Sequence, residues 1–455
     1  MKRAPFKDLV ESRHPLHISR LPFWRLAWSS YRGGPDYLAA PNLFSHRLEH
    51  GDDHRRRLTR SYYLNYCRPV VDTYASHILK NSPAILPMEP VRRLVENADG
   101  TGRNIYSFMK QALVLAAVYG QVMIGVDRPR SNVAPRTRAD ELSLGLSDYL
   151  HLVIPQNLLN WSTNVSGELA WCLICQKTRN MKPDAAKNGG DEVIYRLWTP
   201  ESWKDIGEDG ELIEEGENPF GRVPFAPCIF RETGDPVIGE SLLASIANVN
   251  REIFNLSSML SEILYRQTFS QLVAEGSAHE YGEGGDIGRL GTSSIFLYPE
   301  GRKAPGFINP DGGQAKLLMD QIDQLVDEIY RLASLSRGSA REAQLSSGIS
   351  KAYDFLDTNQ ALSDAAQNLG TAFTRAIGIA SPGWKGNIQF PGDFGVDDPQ
   401  KLLEEVERSI AVGVGPVFRR RLIEKLARAT LRELPAAQRD EVMEEIRQLA
   451  MNNKQ

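Results

Sequence analysis

The chain has 455 residues, 42% of them hydrophobic, and 53 Lys and Arg against 57 Asp and Glu give a formal charge of -4. This length and apolar content exclude a disordered or disulfide-stapled miniature and point to about three domains or one large composite with a sizeable core. The near-neutral charge excludes a global basic field, so any nucleic-acid contact is local or weak.

Along the chain, "MKRAPF" is basic but no apolar h-region follows it, so no signal peptide is expected. The first sixty residues mix helical and loop signals, with a turn at "YRGGPDYL" and a dense charged cluster, "HRLEHGDDHRRR". From Arg60 to Leu79 apolar residues recur at helical spacing, with Pro69 kinking or restarting the helix. A second helix, "IYSFMKQALVLAAVYG", stops at Gly120 as a C-cap. The longest apolar run, "ALVLAAVYGQVMIGV", is split there and falls short of the about 18 residues that a membrane span requires. No membrane span is expected.

Between Gln121 and Arg231 the runs "QVMIGVD", "YLHLVI", "ELAWCLICQKT", "EVIYRLWT" and "VPFAPCIF" alternate with turns and predict a mostly antiparallel sheet. Strands following helices without βαβ alternation make the class α+β. The four cysteines are too few for a disulfide framework and fit a reducing cytoplasm. Cys172 and Cys175 form a CxxC, but three residues apart on a strand they point to opposite faces, which favours packed thiols over zinc or redox use.

After "GDPVIG" the clearest periodic element runs from Glu240 to Gln267, with Leu242, Ile246, Val249, Ile253, Leu256, Leu260 and Ile263 at intervals of four and three. A second runs from Gln314 to Ala333, with Leu318, Ile322, Leu325, Ile329 and Leu332 in the same spacing. Between them lies a Gly-rich segment with strand and turn signals. A small β-rich insert at the tip of two long helices protrudes, and protrusions commonly carry contacts. The polar break "SLSRGSAREAQLSSG", Ser334 to Gly348, follows. A helix from Ile349 to Ile377 then carries Phe355, Leu362, Leu369, Phe373 and Ala376 on one face, and a strand comes next in "GNIQFPGDF". Asp398 and Pro399 open the C-terminal helices as N-cap and first helical residue.

This order of elements resembles the portal proteins of tailed double-stranded DNA bacteriophages. The similarity is carried by "RPVVDTYASHILKNSP", "ALVLAAVYGQVMIGVDRP", "GRVPFAPCIF", "GDPVIGESLLASIANVNREIFNLSSMLSEILYRQTFSQLVAEG" and "SSGISKAYDFLDTNQALSDAAQNLGTAF", and covers roughly Arg60 to Phe390. It contains no catalytic signature. The resemblance implies a portal-like α+β fold: an N-terminal wing over 1–238, stem helices over 239–267 and 314–333, a clip over 268–313, and a tunnel loop over 334–348. The wing would resume over 349–396, and a crown would span 397–455. It implies a non-enzymatic homo-dodecameric ring without cofactor or metal, at the capsid vertex of the virion and in the host cytoplasm during assembly. Its partners would be the major capsid protein, the terminase, a head-tail adaptor and the double-stranded DNA passing through the channel. Twelve inner helices about 10 Å apart place their axes on a circle about 38 Å across, which leaves roughly 27 Å for a duplex of about 20 Å.

Within that frame Arg337, Arg341, Gln344, Ser346 and Ser347 form the tunnel loop, where small residues and few cations suit transient phosphate contacts; the bland alternative is a solvated turn. Asp320, Asp323 and Asp327 lie within about 60° of one another on the second stem helix. They are either the wet side of an amphipathic helix or a tunnel-lining acidic stripe that repels a duplex and lets it slide. Arg421, Lys425, Arg428 and Arg432 make a basic row, either a salt-bridged surface or a crown contact to DNA. Two competing functions are a metal-dependent phosphohydrolase or nuclease using His46, His50, Asp53 and His54, which an uninterrupted helix would align along one face, and a monomeric helical scaffold.

Overall fold

A computed structural model describes residues 4–47, 49–129, 146–179, 191–268, 271–273, 306–308, 313–335, 348–391, 394, 399–431, 441–446 and 448. The chain divides into two compact units, Met1–Gly392 and Asp393–Gln455. The architecture is mixed: helices combined with antiparallel sheets.

The first unit opens with α1 (Lys7–Glu11), α2 (Pro15–Arg32), α3 (Gly34–Leu38), α4 (Gly51–Arg60) and α5 (Cys67–Ile78). The helix expected over Arg60 to Leu79 is therefore broken. Residues 61–66 leave helical geometry, and Pro69 sits in the first turn of α5, where its missing N–H has no helical partner to lose. Strand β1 (Ala84–Leu86) and the short α6 (Arg92–Glu96) lead to α7 (Ile105–Tyr119). Helix α7 buries residues around most of its circumference, as its nearly unbroken apolar sequence requires.

Gly120 ends α7 with φ +98° and donates its N–H to the Ala116 carbonyl. Its lack of a side chain is also a packing requirement: a Cβ there would stand 2.5 Å from the Gly239 carbonyl oxygen, and one on Gly239 would stand 2.4 Å from the Gly120 carbonyl oxygen. The backbone then enters β2 (Gln121–Asp127), buried at six of seven positions, at the centre of a three-stranded antiparallel sheet between β3 (Tyr149–Val153) and β9 (Phe225–Ile229). A second sheet is a five-stranded antiparallel meander of β4 (Leu158–Thr163), β5 (Leu169–Arg179), β6 (Asp191–Trp198), β7 (Ser202–Ile206) and β8 (Leu212–Glu217). Arg196 ties the two sheets together, meeting Asp205 at 2.6 Å and Asp127 at 3.2 Å.

Of the CxxC pair on β5, Cys172 is buried and Cys175 half-buried, and burial raises both thiols above their ordinary range. Buried thiols are poor thiolates and so poor nucleophiles.

After the Asx turn in which the Asp235 carboxylate accepts from the Val237 and Ile238 N–H groups come α8 (Ile246–Thr268), the antiparallel pair β10 (Gln271–Val273) and β11 (Gly306–Ile308), and α9 (Gly313–Leu332). Helix α10 (Gly348–Ala380) lays Leu362, Ala365, Leu369, Phe373, Ala376 and Ile377 over β2, β9, α5 and α7. Strand β12 (Asn387–Gln389) returns to pair with β1. The second unit is an antiparallel hairpin of α11 (Pro399–Val412) and α12 (Pro416–Thr430), followed by a short helical stretch over 441–446.

Candidate functional site

The candidate site is the α8–α9 pair. At 1.5 Å per residue the two helices are about 34 and 30 Å long. The chain leaves along α8, turns back through the antiparallel β10–β11 pair and returns along α9, which packs against α8. The helix expected from Glu240 starts only at Ile246, because residues 240–245 are committed elsewhere. The Ser241 hydroxyl reaches the carbonyls of Ala117 and Val118, and the Leu242 N–H donates to Ala117 O, so this stretch anchors to the end of α7 instead of extending α8.

The first half of α8 is buried on its polar side as well as its apolar one. Ile246, Ile253 and Phe254 form the apolar contacts, while Asn250, Asn255, Ser257 and Ser258 are also buried. Asn250 accepts from the Tyr66 N–H at 3.0 Å and the Tyr63 hydroxyl at 2.8 Å, and donates to the Leu64 carbonyl at 2.8 Å. In this way it satisfies the backbone of the irregular 61–66 segment. Asn255 accepts from the Phe44 N–H and donates to the carbonyls of Asn42 and Arg251.

Ser258 meets Arg57 at 3.2 Å and Ser61 at 2.8 Å. Arg57 in turn holds both oxygens of Glu49 at 2.7 Å and the Phe44 carbonyl at 2.7 Å. The Arg57 bond is the main cause that brings the Glu49 carboxyl down to about 2. Farther out, Arg60 pairs with Glu262 at 3.5 Å and lies over the Tyr265 ring.

Over 259–265 no side chain of α8 is buried. Met259, Leu264 and Tyr265 on α8, and Leu317 and Met319 on α9, are exposed apolar side chains, Leu317 at 70%. At its far end α9 returns to the core: Ala333 is buried, its carbonyl accepts from the buried Tyr74 hydroxyl at 2.7 Å, and Ser334 closes the helix at φ +50°. The pair is thus rooted at the start of α8 and the end of α9, with exposed flanks between the roots and the β10–β11 strands.

Asp320, Asp323 and Asp327 are all exposed on α9, away from the buried Ala315, Val326 and Ile329. Of the basic row, Arg421 is exposed and Lys425 half-buried on α12; the Arg428 side chain and Arg432 lie outside what is described. Glu424 on the same helix is buried between Arg420 at 3.7 Å and Arg421 at 3.3 Å. Arg337, Arg341, Gln344, Ser346 and Ser347 lie outside the described residues, as does most of the expected clip.

The metal alternative is not assembled. Helix α4 begins at Gly51, so His46 precedes it and the three imidazoles share no helix face. His50 caps the helix by accepting from the Asp52 N–H, and the His54 ring meets the Leu43 carbonyl at 3.3 Å. Among the described residues no group of three His, Cys, Asp or Glu side chains is arranged to hold a metal ion. Nor is any described helix long and apolar enough to cross a membrane.

Sequence reasoning did not single out the polar root, in which Asn250, Asn255 and Ser258 sit beside the apolar stripe and are buried. The available signal was the shortness of those side chains along one flank, in place of the Lys and Glu of a wet face.

No protein-family model and no curated protein matches the chain by sequence. Among solved structures it is similar to a chain in the neck of a native GTA particle computed with C12 symmetry, with TM-score 0.40, 11% identity, and coverage of 77% of this chain and 85% of that one. A chain in the neck of an empty GTA particle computed with C6 symmetry aligns with TM-score 0.45, 10% identity and 77% and 90% coverage. A chain in the virion of a native gene transfer agent (GTA) particle aligns with TM-score 0.38, 12% identity and 76% and 85% coverage.

Proposed function

We propose that the chain is a portal protein, a structural and non-enzymatic subunit of a ring through which double-stranded DNA enters a capsid and later leaves it. The observation that carries the reading is the rooted α8–α9 pair: two long antiparallel helices, anchored at one end, capped by two short strands, with apolar side chains exposed on the flanks between. Large exposed apolar residues on a helix pair mark a contact surface, and lateral neighbours of the same kind close a ring. Asp320, Asp323 and Asp327 then repeat around the bore, where fixed negative charge keeps a polyanionic duplex from adhering.

In this reading the dodecamer sits at the portal vertex among major capsid proteins. It docks the terminase during packaging and a head-tail adaptor afterwards, through the segment between α8 and α9. The loop after α9, with Arg337 and Arg341, supplies the transient phosphate contacts.

End-on electron micrographs of the purified full chain test it. Closed rings with a central channel are expected, and a monodisperse monomer at micromolar concentration would overturn the proposal.

A further inference from the structure

We infer that the α11–α12 hairpin is a head-to-tail interface between neighbouring copies of this chain, one copy's α11 packing on the next copy's α12. The inference rests on the ring reading for its symmetry and assigns the C-terminal basic row a protein partner instead of DNA.

The hairpin has its own interior, in which Leu402, Val406 and Ser409 of α11 and Glu424 and Ala429 of α12 are buried. Outside it a cluster of apolar side chains surrounds the connecting turn: Ile410 is 56% exposed, Val412 77%, Val417 57% and Phe418 58%. Leu403 is exposed farther down α11. Helical geometry sets Leu403, Glu407 and Ile410 within about 60° of one another, and Val417, Phe418, Arg421 and Lys425 within about 100°. Each helix therefore presents one outward face that mixes apolar and charged side chains.

The two faces differ in sign. The α11 face carries Glu407, while the α12 face carries Arg421 and Lys425. Such faces complement each other and repel themselves, so the favoured pairing is heterologous, the type that closes rings. The registers also match. Glu407 and Arg421 are both seven residues from Val414 at the turn, and Ile410 and Phe418 are both four from it. Parallel hairpins related by a rotation bring each pair level across the boundary.

A phosphate backbone is the poorer fit. The exposed Glu407 on the adjoining helix repels phosphate, and the exposed Ile410, Val417 and Phe418 find no complement there.

The test uses full-length chains, one carrying Ile410→Cys and the other Phe418→Cys. Purified separately, mixed before assembly and mildly oxidised, they should give disulfide-linked dimers severalfold above either variant alone. Glu407→Arg should lower the ring population, and adding Arg421→Glu should restore it. Rings that form without the mixed cross-link would overturn this interface and leave the ring reading standing. Absence of wild-type rings would remove both. Cross-linking within a single variant would indicate a two-fold contact and overturn the head-to-tail arrangement. Loss of duplex binding on Arg421→Glu with assembly unchanged would award the row to DNA.

Discussion

Replacing Arg57 with alanine tests whether the polar set under α8 holds that helix in place. The Arg57 side chain is 9% exposed and bonds both oxygens of Glu49, whose side chain is 12% exposed, together with Phe44 O and Ser258 Oγ. Removing it takes the guanidinium from all three acceptors, leaving the carboxylate only the His46 N–H and the Ser258 hydroxyl only Ser61. Breaking one side of a buried pair costs about 3–5 kcal/mol, and because Glu49 keeps some contact with water the lower end, about 3 kcal/mol, is expected.

The pH dependence has a definite sign. The folded Glu49 carboxyl, at about 2, lies below its ordinary 4.5, so its contribution is complete above about pH 5 and fades as pH falls toward 2. That shift corresponds to about 2–3 kcal/mol after solvent screening. The wild-type advantage over Arg57→Ala should be flat above about pH 6 and shrink below pH 5. Urea unfolding combined with hydrogen exchange at α4 and α8 reads it, since a chain of two units need not unfold in one step. A Glu49→Ala/Arg57→Ala double variant should fall short of the sum of the singles by about 2 kcal/mol. Strict additivity, or an unchanged difference at pH 3, would refute the coupling.

Gly120→Ala should destabilise by about 2 kcal/mol or more, because the left-handed φ and the Gly239 carbonyl at 2.5 Å both oppose a Cβ; a melting temperature equal to wild type would contradict the packing described. Asn250→Ala strands the Tyr66 N–H and the Leu64 carbonyl and should cost about 2–4 kcal/mol in denaturant titrations, with faster exchange over 61–66. Converting Asp320, Asp323 and Asp327 together to lysine should make DNA passage salt-dependent, and packaging unaffected at low salt would remove the electrostatic argument. Deleting 337–347 should leave rings intact while impairing genome packaging or retention; loss of folding would show that the segment belongs to the core.

Long-period features were legible in the sequence. The β-rich runs bounded by turn residues that predict β2, β3, β5, β6 and β9 and the three-four spacing of α9 are local patterns that burial enforces. What escaped was set by distant partners. Strand β4, "LLNWST", pairs with β5 through two register shifts, and β8, "LIEEGE", is an edge strand exposed at nearly every position, so neither shows clean alternation. Helix α2 carries Pro22 in its interior and charged residues among aromatics, and its apolar pattern becomes clear only once His17, Trp24 and Ala27 are seen to be buried. The start of α8 was misplaced by six residues because the sequence from Glu240 to Ser245 has helical composition, yet the Ser241 hydroxyl and the Leu242 N–H are taken by the end of α7. The exposure of Asp320, Asp323 and Asp327 was legible because it follows helical phase on α9.

The polar root of α8 has a physical logic that an apolar one lacks. Buried amides and a buried ion pair add little net stability over well-packed aliphatics, but they accept only one register, since every slipped or rotated alternative leaves donors and acceptors unmade. Asn250 fixes α8 against the 61–66 backbone, Asn255 against residues 42–44, and Ser258 against Arg57 and Ser61, at three successive levels along the helix. Three such pins determine the direction and the rotation of α8, and through its packing on α9 they determine where Asp320, Asp323 and Asp327 face. In the ring proposed above, a misplaced α8 would carry α9 and its acidic residues out of line with those of the neighbouring copies. The buried polar groups thus secure orientation, while the exposed apolar flank farther out is the surface that the proposed ring would bury.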